Sequence, residues 1–366
     1  MLKRLDIRHY FVVLIVLTLL VTLFFYTNVL PSTETLVSKN MIAEDVSSYT
    51  TLPQRKSLLI VGQGRSGTSF VSMMLGMGER VFEVFEPLRF HNLSDAQKIE
   101  VLQAFLTLKF TPSALWEKDY YPPFWYLEET SYHIERLKNK ACIIFKTKPT
   151  WCFPADALAE YFIKKSKQKY DSTVVKALSE RLPDGRLLSL LPLISDLAMD
   201  ADIRILHVVR DPRASLNSRI KLRWFPEFNN TNFEENVRNF CKPITDNIEF
   251  GKTLDEVLKH RYKLILYRDI AARPLDTARE IFKFAGVNLS ENTLEWIKNM
   301  TNPGKTDARK FKSWPYSLVR DAEANIDKWR SESPPERTLI IEKNCQPLLK
   351  LLDKRSFDQE YSLDKE

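Results

Sequence analysis

The chain has 366 residues, 44 % of them hydrophobic and 11 % aromatic, which predicts a packed core and excludes an intrinsically disordered polymer. Only 9 glycines are present, so collagen-like and glycine-rich low-complexity readings fail, and the sequence shows no solenoid-type internal repeat. The net charge of +7, from 54 basic and 47 acidic residues, suits a protein that handles anions without saying which, and no nucleic-acid partner is expected.

The first informative segment is the N-terminus. Tyr10 to Tyr26 reads YFVVLIVLTLLVTLFFY. At about 1.5 Å per residue this run spans roughly 26 Å, close to the hydrocarbon thickness of a thin bilayer. It exceeds the ~7–15 residues of a signal-peptide core, and no A-x-A site follows, so a retained anchor is expected rather than a cleaved leader. Lys3, Arg4 and Arg8 precede it and the next basic residue is Lys39, which predicts a cytosolic N-terminus and a lumenal body, a single-pass type II arrangement. A short span with aromatic ends suits the endoplasmic reticulum or Golgi better than the plasma membrane. The expected organisation is a cytosolic tail over residues 1–9, an anchor over 10–27, a polar stem over 28–56 and a catalytic domain over 57–366.

A lumenal body agrees with two further features. Cys142, Cys152, Cys241 and Cys345 all lie beyond the anchor, where an oxidising compartment favours disulfides with three connectivities open. None shows the C-x₂-C spacing of a zinc site, and no metal is expected. Asn92, Asn229, Asn288 and Asn299 open N-x-[ST] triplets, candidate glycan sites in a lumenal protein.

From Ser57 the pattern alternates strand and helix. Ser57 to Val61 is a short apolar run of the kind found in buried parallel strands. A glycine-containing loop and a helix from Thr68 to Leu75 follow. Further strands are expected at Arg80 to Glu86, Ala141 to Lys146, Ile203 to Val209 and Tyr262 to Tyr267, with an amphipathic helix over Leu275 to Ala285. This predicts an α/β, P-loop-like three-layer fold with a mainly parallel central sheet. Ligands of such folds bind outside the carboxyl ends of the strands.

Two motifs fall at such ends. The first is Gly62-Gln63-Gly64-Arg65-Ser66-Gly67-Thr68-Ser69. A strand, a glycine turn and a helix N-terminus present backbone N–H groups to an anion. It is not the nucleoside-triphosphatase loop: Thr68 stands where that motif has lysine, and the cation lies inside the loop at Arg65. The second is His207-Val-Val-Arg210-Asp211-Pro212-Arg213-Ala-Ser215-Leu-Asn217-Ser218-Arg219. Here a strand delivers Arg210, Asp211 and Pro212 open a helix as N-cap and first turn, and Ser218 lies two turns along on the way to the same anion.

Together these motifs resemble those of the Golgi carbohydrate sulfotransferases, which sulfate galactose, N-acetylgalactosamine or N-acetylglucosamine. GQGRSGTSF resembles that family's 5′-phosphosulfate loop, and HVVRDPRASLNSR its 3′-phosphate element, with Arg210 and Ser218 at the matching positions. VFEPLRF and the tail containing Trp329, Arg330 and Cys345 are also similar. Thr68 departs from a position that is often serine. The resemblance implies 3′-phosphoadenosine-5′-phosphosulfate as donor, metal-independent transfer, a glycan or glycosaminoglycan acceptor and a Golgi membrane location. Arg65 and the N–H groups of Gly67, Thr68 and Ser69 would then stabilise the departing phosphate. Oligomeric state is left open, homo-oligomers included.

The acceptor hydroxyl needs a base, and Glu86 is the choice. It ends the second strand before Pro87 turns the chain, and burial is expected to raise its pKa toward the working pH. Glu83 and His91 are the competitors. Lys146, ending the third predicted strand, is a candidate for contact with the sulfonate or acceptor. Trp116, Tyr120, Tyr121, Phe124, Trp125 and Tyr126 read first as loop packing and second as sugar-stacking faces. Lys305, Arg309, Lys310 and Lys312 form a basic run that is either a solvated face or a nucleotide lid. Asp200-Ala-Asp202 has the D-x-D form of metal-dependent glycosyltransferases, but it precedes a strand and reads as a helix-end turn. A lumenal metal-dependent glycosyltransferase or kinase is the alternative function.

Overall fold

The computed structural model describes residues 55–89, 93–109, 170–195, 201–304 and 317–353. Its centre is β1 (Arg55–Gly62), whose run of Leu58, Leu59, Ile60 and Val61 is fully buried. Both neighbours of β1 are parallel, β3 (Ser172–Leu178) on one side and β4 (Ala201–Val209) on the other. The five-stranded sheet is completed by β2 (Val81–Phe85) beside β3 and β5 (Tyr262–Leu266) beside β4, in the order β2-β3-β1-β4-β5. From β1 the chain crosses to one side and later to the other, so a topological switch point, the usual ligand crevice of such sheets, flanks β1.

Because side chains alternate across a strand, β1 feeds two cores. Leu59 and Val61 pack with α2 (Asp95–Thr107), which contributes Val101, Leu102 and Phe105, and with Leu190 and Ile194 around α3 (Leu191–Ser195). Leu58 and Ile60 pack against α1 (Thr68–Gly76), α8 (Pro274–Ala285) and α9 (Glu291–Thr301). Ser94 caps α2 by accepting from the Gln97 N–H, while the Gln97 side chain accepts from the Ser94 N–H, a reciprocal capping box. At the β5 side a third core joins α4 (Pro212–Lys221), α5 (Phe233–Thr253) and α11 (Pro335–Leu351). Short helices α6 (Glu256–Lys259), α7 (Tyr267–Ala272) and α10 (Trp329–Glu332) fill the connections.

The expected α/β class, parallel sheet and helices at Thr68 and Leu275 are all present. One strand differs. The third strand of the sheet is Ser172–Leu178, whereas Ala141 to Lys146 lies outside the described residues. STVVKAL carries a lysine, which local patterning reads as a surface residue. Lys176 is 1 % exposed and is kept charged by a carboxylate partner. Asp202 corrects one expectation. It belongs to β4 rather than to a helix-end turn, and Lys56 (2.8 Å) and Arg204 (2.7 Å) occupy its carboxylate.

Among the described residues no helix is long and apolar enough to cross a membrane. The apolar segment 10–27 lies outside them, as do His91, Asn92, Cys142, Lys146, Cys152, Asp200, the aromatic cluster 116–126 and the basic run 305–312. Asn229, Asn288 and Asn299 are exposed, although Thr301 of the last triplet is buried and donates its hydroxyl to the Ile297 carbonyl at 2.7 Å.

Cys241 of α5 and Cys345 of α11 form a disulfide across 104 residues of chain, with Cα atoms 5.4 Å apart in the middle of the third core. Such a long closure restricts the unfolded chain strongly. Replacing both cysteines by alanine is expected to lower stability by about 2–5 kcal/mol. Thermal melts of the double variant and of the reduced parent should agree; an unchanged melting temperature in both would show that the helix pair needs no staple.

Candidate active site

The carboxyl end of β1 continues through Gly62-Gln-Gly-Arg-Ser-Gly67 into α1. Space dictates two of the glycines. A Cβ on Gly62 would lie 2.4 Å from the Val208 carbonyl oxygen, and one on Gly67, at φ 100°, would lie 2.8 Å from the Tyr267 ring. As N-cap of α1, Gly67 offers no side-chain acceptor, so the first-turn N–H groups are left to an external anion. Ser66 Oγ, in the same loop, is buried without a hydrogen-bond partner.

Two residues of α4 clamp this loop. Arg65 takes a left-handed φ of 77°, a strained backbone for a residue with a Cβ, and its Nε donates to Ser218 Oγ at 3.0 Å. Arg219 donates from Nε to the Gly64 carbonyl at 3.1 Å and pairs through its other nitrogen with Glu180. Glu180 in turn accepts from the Gly64 N–H at 3.3 Å. The start of α4 is fixed as the sequence predicts, with Pro212 in the first turn and Asp211 accepting from the Arg213 N–H. Arg213 is buried, paired with Asp211 and Glu342, and lies 4.4 Å above the Trp329 ring, which ties α4 to α10 and α11.

Arg210 sits where β4 ends. Its guanidinium lies 4.1 Å over the Tyr267 ring and donates to the carbonyls of Arg65 and Asn325, both at 3.2 Å. Its Nε is shielded from solvent and has no hydrogen-bond partner among the described residues. Tyr267 follows β5 directly and accepts from Asn325 Nδ2 at 2.7 Å. Two guanidinium groups, an orphaned hydroxyl, an orphaned N–H and a helix N-terminus therefore converge at one sheet edge. The donor set fits a ligand that carries two separate anionic groups.

Glu86 follows β2 at the same edge. Its N–H donates to the Lys176 carbonyl at 2.7 Å, and it too is held at positive φ, 50°. Glu86 is 6 % exposed. One oxygen bonds Lys176, the other bonds Arg181, and Arg89 stands 3.9 Å away. Burial alone would raise this carboxyl. Lys176, then Arg181 and Arg89, outweigh it and hold the group below the ordinary carboxylate range. The expectation of a raised pKa is thus overturned, because burial here comes with three cations. Burial pushes Lys176 down to about 8 against the pull of Glu86, so both partners are charged at neutral pH. Lys176 also lies 4.3 Å from the Phe85 ring centroid.

The structure brings Gly62 to Ser69, Glu86, Arg210 and Ser218 to one edge. Glu83 is elsewhere: it lies mid-strand and accepts a hydrogen bond from Ser72 of α1. His207 is fully buried against Tyr262 (2.9 Å), and burial lowers its pKa to about 3, so it stays neutral. Sequence reasoning missed Lys176, Glu180, Arg181, Arg219, Tyr267 and Asn325. Two of these had a signal. A lone lysine inside an apolar strand run calls for a buried carboxylate, and Tyr267 directly follows a strand whose companions lead into site residues.

Fold and site define an α/β protein whose sheet edge offers hydrogen-bond donors to two separate anionic groups, one at a strand–loop–helix turn and one at a second strand end. Residues 55–351 match the family described as the sulfotransferase domain, and the chain belongs to that family of enzymes. Mouse (Mus musculus) carbohydrate sulfotransferase 3 is similar at 27 % identity, covering 84 % of this chain and 70 % of that one. Human (Homo sapiens) carbohydrate sulfotransferase 1 is 26 % identical over 81 % of this chain and 79 % of its own. A solved sulfotransferase domain from the curacin biosynthetic pathway is 15 % identical with a TM-score of 0.45, covering 83 % of this chain and 99 % of that one.

Removing one member of a buried ion pair strands the other. Glu86→Gln is therefore expected to destabilise the protein by about 3–5 kcal/mol at neutral pH. Because folding lowers the Glu86 pKa, its contribution is full above the ordinary carboxylate range and is lost as pH falls through the folded value. Urea titrations of parent and variant should show the gap closing on acidification. A gap constant from neutral to acid pH would mean that Glu86 carries no such charge.

Proposed function

We propose that this protein transfers a sulfonate group from 3′-phosphoadenosine-5′-phosphosulfate to a sugar hydroxyl of a glycan or glycosaminoglycan. The acceptor is galactose, N-acetylgalactosamine or N-acetylglucosamine, with the primary C6 hydroxyl as the least hindered position. The observation that carries the reading is the contact between Arg65 of the loop and Ser218 of α4, with Arg210 donating to the Arg65 carbonyl beside them. It joins the loop proposed for the 5′ end to the strand-end arginine and helix hydroxyl proposed for the 3′-phosphate. Similarity to carbohydrate sulfotransferases 1 and 3 supports the sugar acceptor. The N-terminal apolar segment and its flanking charges support a single-pass Golgi anchor with the site in the lumen.

The donor supplies a sulfonate on a phosphate leaving group. Arg65, with the N–H groups of Gly67, Thr68 and Ser69, would hold the 5′ end and meet the charge that grows on the bridging oxygen. Arg210, whose Nε is free to donate, and Ser218 would hold the 3′-phosphate. Glu86 takes the proton of the acceptor hydroxyl as the new O–S bond forms and the S–O bond to phosphate breaks. A carboxylate held fully ionised is a weak base. It suffices if, as in phosphoryl transfer through loose transition states, the nucleophile loses its proton late and the residue mainly orients the hydroxyl. Lys176 and Arg181 are positioning residues that fix the carboxylate. The competing reading, a metal-dependent glycosyltransferase, has little support: Asp202, half of its D-x-D pair, is occupied by Lys56 and Arg204.

Arg65→Ala and Arg210→Ala are each expected to weaken binding of 3′-phosphoadenosine-5′-phosphate by about 10- to 150-fold, the range for losing a charge-assisted hydrogen bond of roughly 1.5–3 kcal/mol. Calorimetric titration checks this; undiminished affinity in folded Arg210→Ala would remove the 3′-phosphate assignment. Transfer should survive EDTA, and its loss would favour the metal-dependent alternative.

A second test separates the base from the ion pair. Glu86→Gln combined with Lys176→Met removes both buried charges and should recover much of the stability that Glu86→Gln alone loses. Turnover of this double variant should stay about 10²- to 10⁴-fold below the parent, the usual cost of losing a general base. Recovery of turnover along with stability would make Glu86 structural.

A further inference from the structure

We infer that Arg219, held in place by Glu180, is a positioning residue of the donor site: it keeps the Gly64–Arg65 peptide group in a strained turn that the loop alone would abandon. The inference rests on the nucleotide-donor reading above and concerns how the loop is kept ready for that donor.

The backbone defines the turn. The Ser66 N–H donates to the Gln63 carbonyl at 3.0 Å, closing residues 63–66. Within the turn Gly64 stays outside the positive-φ region, and Arg65 enters it at 77°. A four-residue turn with positive φ only at its third position has the form of a type II turn. Glycine adopts that third position without steric penalty, and a residue with a Cβ does so against strain. Here glycine stands second and arginine third. Rotating the central peptide group by half a turn converts type II into type I. The closing hydrogen bond survives, Arg65 returns to negative φ, and most residues are tolerated. The local sequence therefore favours the relaxed form, and something outside the loop must hold the strained one.

The contacts identify what holds it. The carbonyl that a flip would swing away is that of Gly64, and Arg219 Nε donates to it at 3.1 Å. The Arg219 guanidinium pairs with Glu180 and lies 4.9 Å over the Phe240 ring, so it is fixed from two further sides. Glu180 also accepts from the Gly64 N–H at 3.3 Å. One ion pair thus binds both peptide groups that flank Gly64. Glycine at 64 follows from the same crowding, since a Cβ there would stand 2.8 Å from Arg219 Nη2 and 3.3 Å from Glu180 Oε1. Arginine at 65 is retained for its side chain, which donates to Ser218. In a trans peptide the N–H points opposite to the C=O. A flip would exchange the Gly64 carbonyl and the Arg65 N–H, and so reverse one peptide dipole of the anion loop.

The test is calorimetric titration of the full-length protein with 3′-phosphoadenosine-5′-phosphate. If Arg219→Leu leaves about a tenth of the molecules in the strained turn, apparent affinity falls about 10-fold, because it scales with the competent fraction. Arg219→Lys keeps the charge without the fork and should fall between the parent and Arg219→Leu. The decisive comparison places Arg219→Leu in two backgrounds. Glycine at position 65 holds the type II turn unaided, so adding Arg219→Leu to Arg65→Gly should cost no further affinity. Alanine keeps the strain, so adding it to Arg65→Ala should again cost about 10-fold. An equal penalty in both backgrounds overturns the proposal, because a direct ligand contact or a general loosening would not distinguish glycine from alanine. Undiminished affinity in Arg219→Leu overturns it too. Where Arg219→Leu does not fold, Arg219→Lys in the same two backgrounds carries the comparison. A folded parent that does not bind the nucleotide overturns the donor reading, and the proposal with it.

Discussion

The central place of β1, hydrogen-bonded in parallel to β3 and β4, is the constraint on which the site depends. The register sets Gly62 opposite Leu178 of β3 and Val61 opposite His207 of β4. The segments that follow these three strands, carrying Arg65, Glu180 and Arg210, must therefore emerge side by side. Close approach of the backbones makes this possible only with glycine at position 62, since the Val208 carbonyl oxygen fills the space a side chain would need. Glu86 and Tyr267 reach the same edge because β2 and β5 extend the same parallel register.

Charge then organises the edge into two halves. On the β4–β5 side, Arg210 is stacked on Tyr267 and bonded to backbone carbonyls, and no carboxylate among the described residues forms an ion pair with it. That half is poised for an anion. On the β2–β3 side one carboxylate, Glu86, is surrounded by Lys176, Arg181 and Arg89. The cations keep Glu86 ionised and rigid, at the cost of base strength. The Glu180–Arg219 pair stands between the halves and ties the loop to α4.

Helix α4 connects the halves to the rest of the molecule. Its first turn is locked by Arg213 to Asp211 and Glu342. Further along, Asn217 accepts from Arg337 at 2.7 Å and donates to Glu332 at 2.9 Å. The disulfide joins α11 to α5 behind it. Buried charged networks of this kind fix geometry more surely than they add stability, and here they hold Ser218 and Arg219 against the loop.

The sequence by itself determined the fold class, the strand–glycine loop–helix turn and the helix cap at Asp211. These are local matters: an apolar run, a glycine turn and an N-cap act within a few residues. It also placed Glu86 and Arg210 at strand ends, because both stand directly after a buried apolar run. The third strand was hidden, since Lys176 counts as polar until its partner 90 residues earlier is known. The ionisation of Glu86, the choice of Cys241–Cys345 among three pairings, and the roles of Glu180, Arg219 and Asn325 were likewise decided by tertiary structure. Each depends on groups far apart in the chain meeting out of water, where a neighbouring charge or an unfilled hydrogen bond matters most and no local pattern records it.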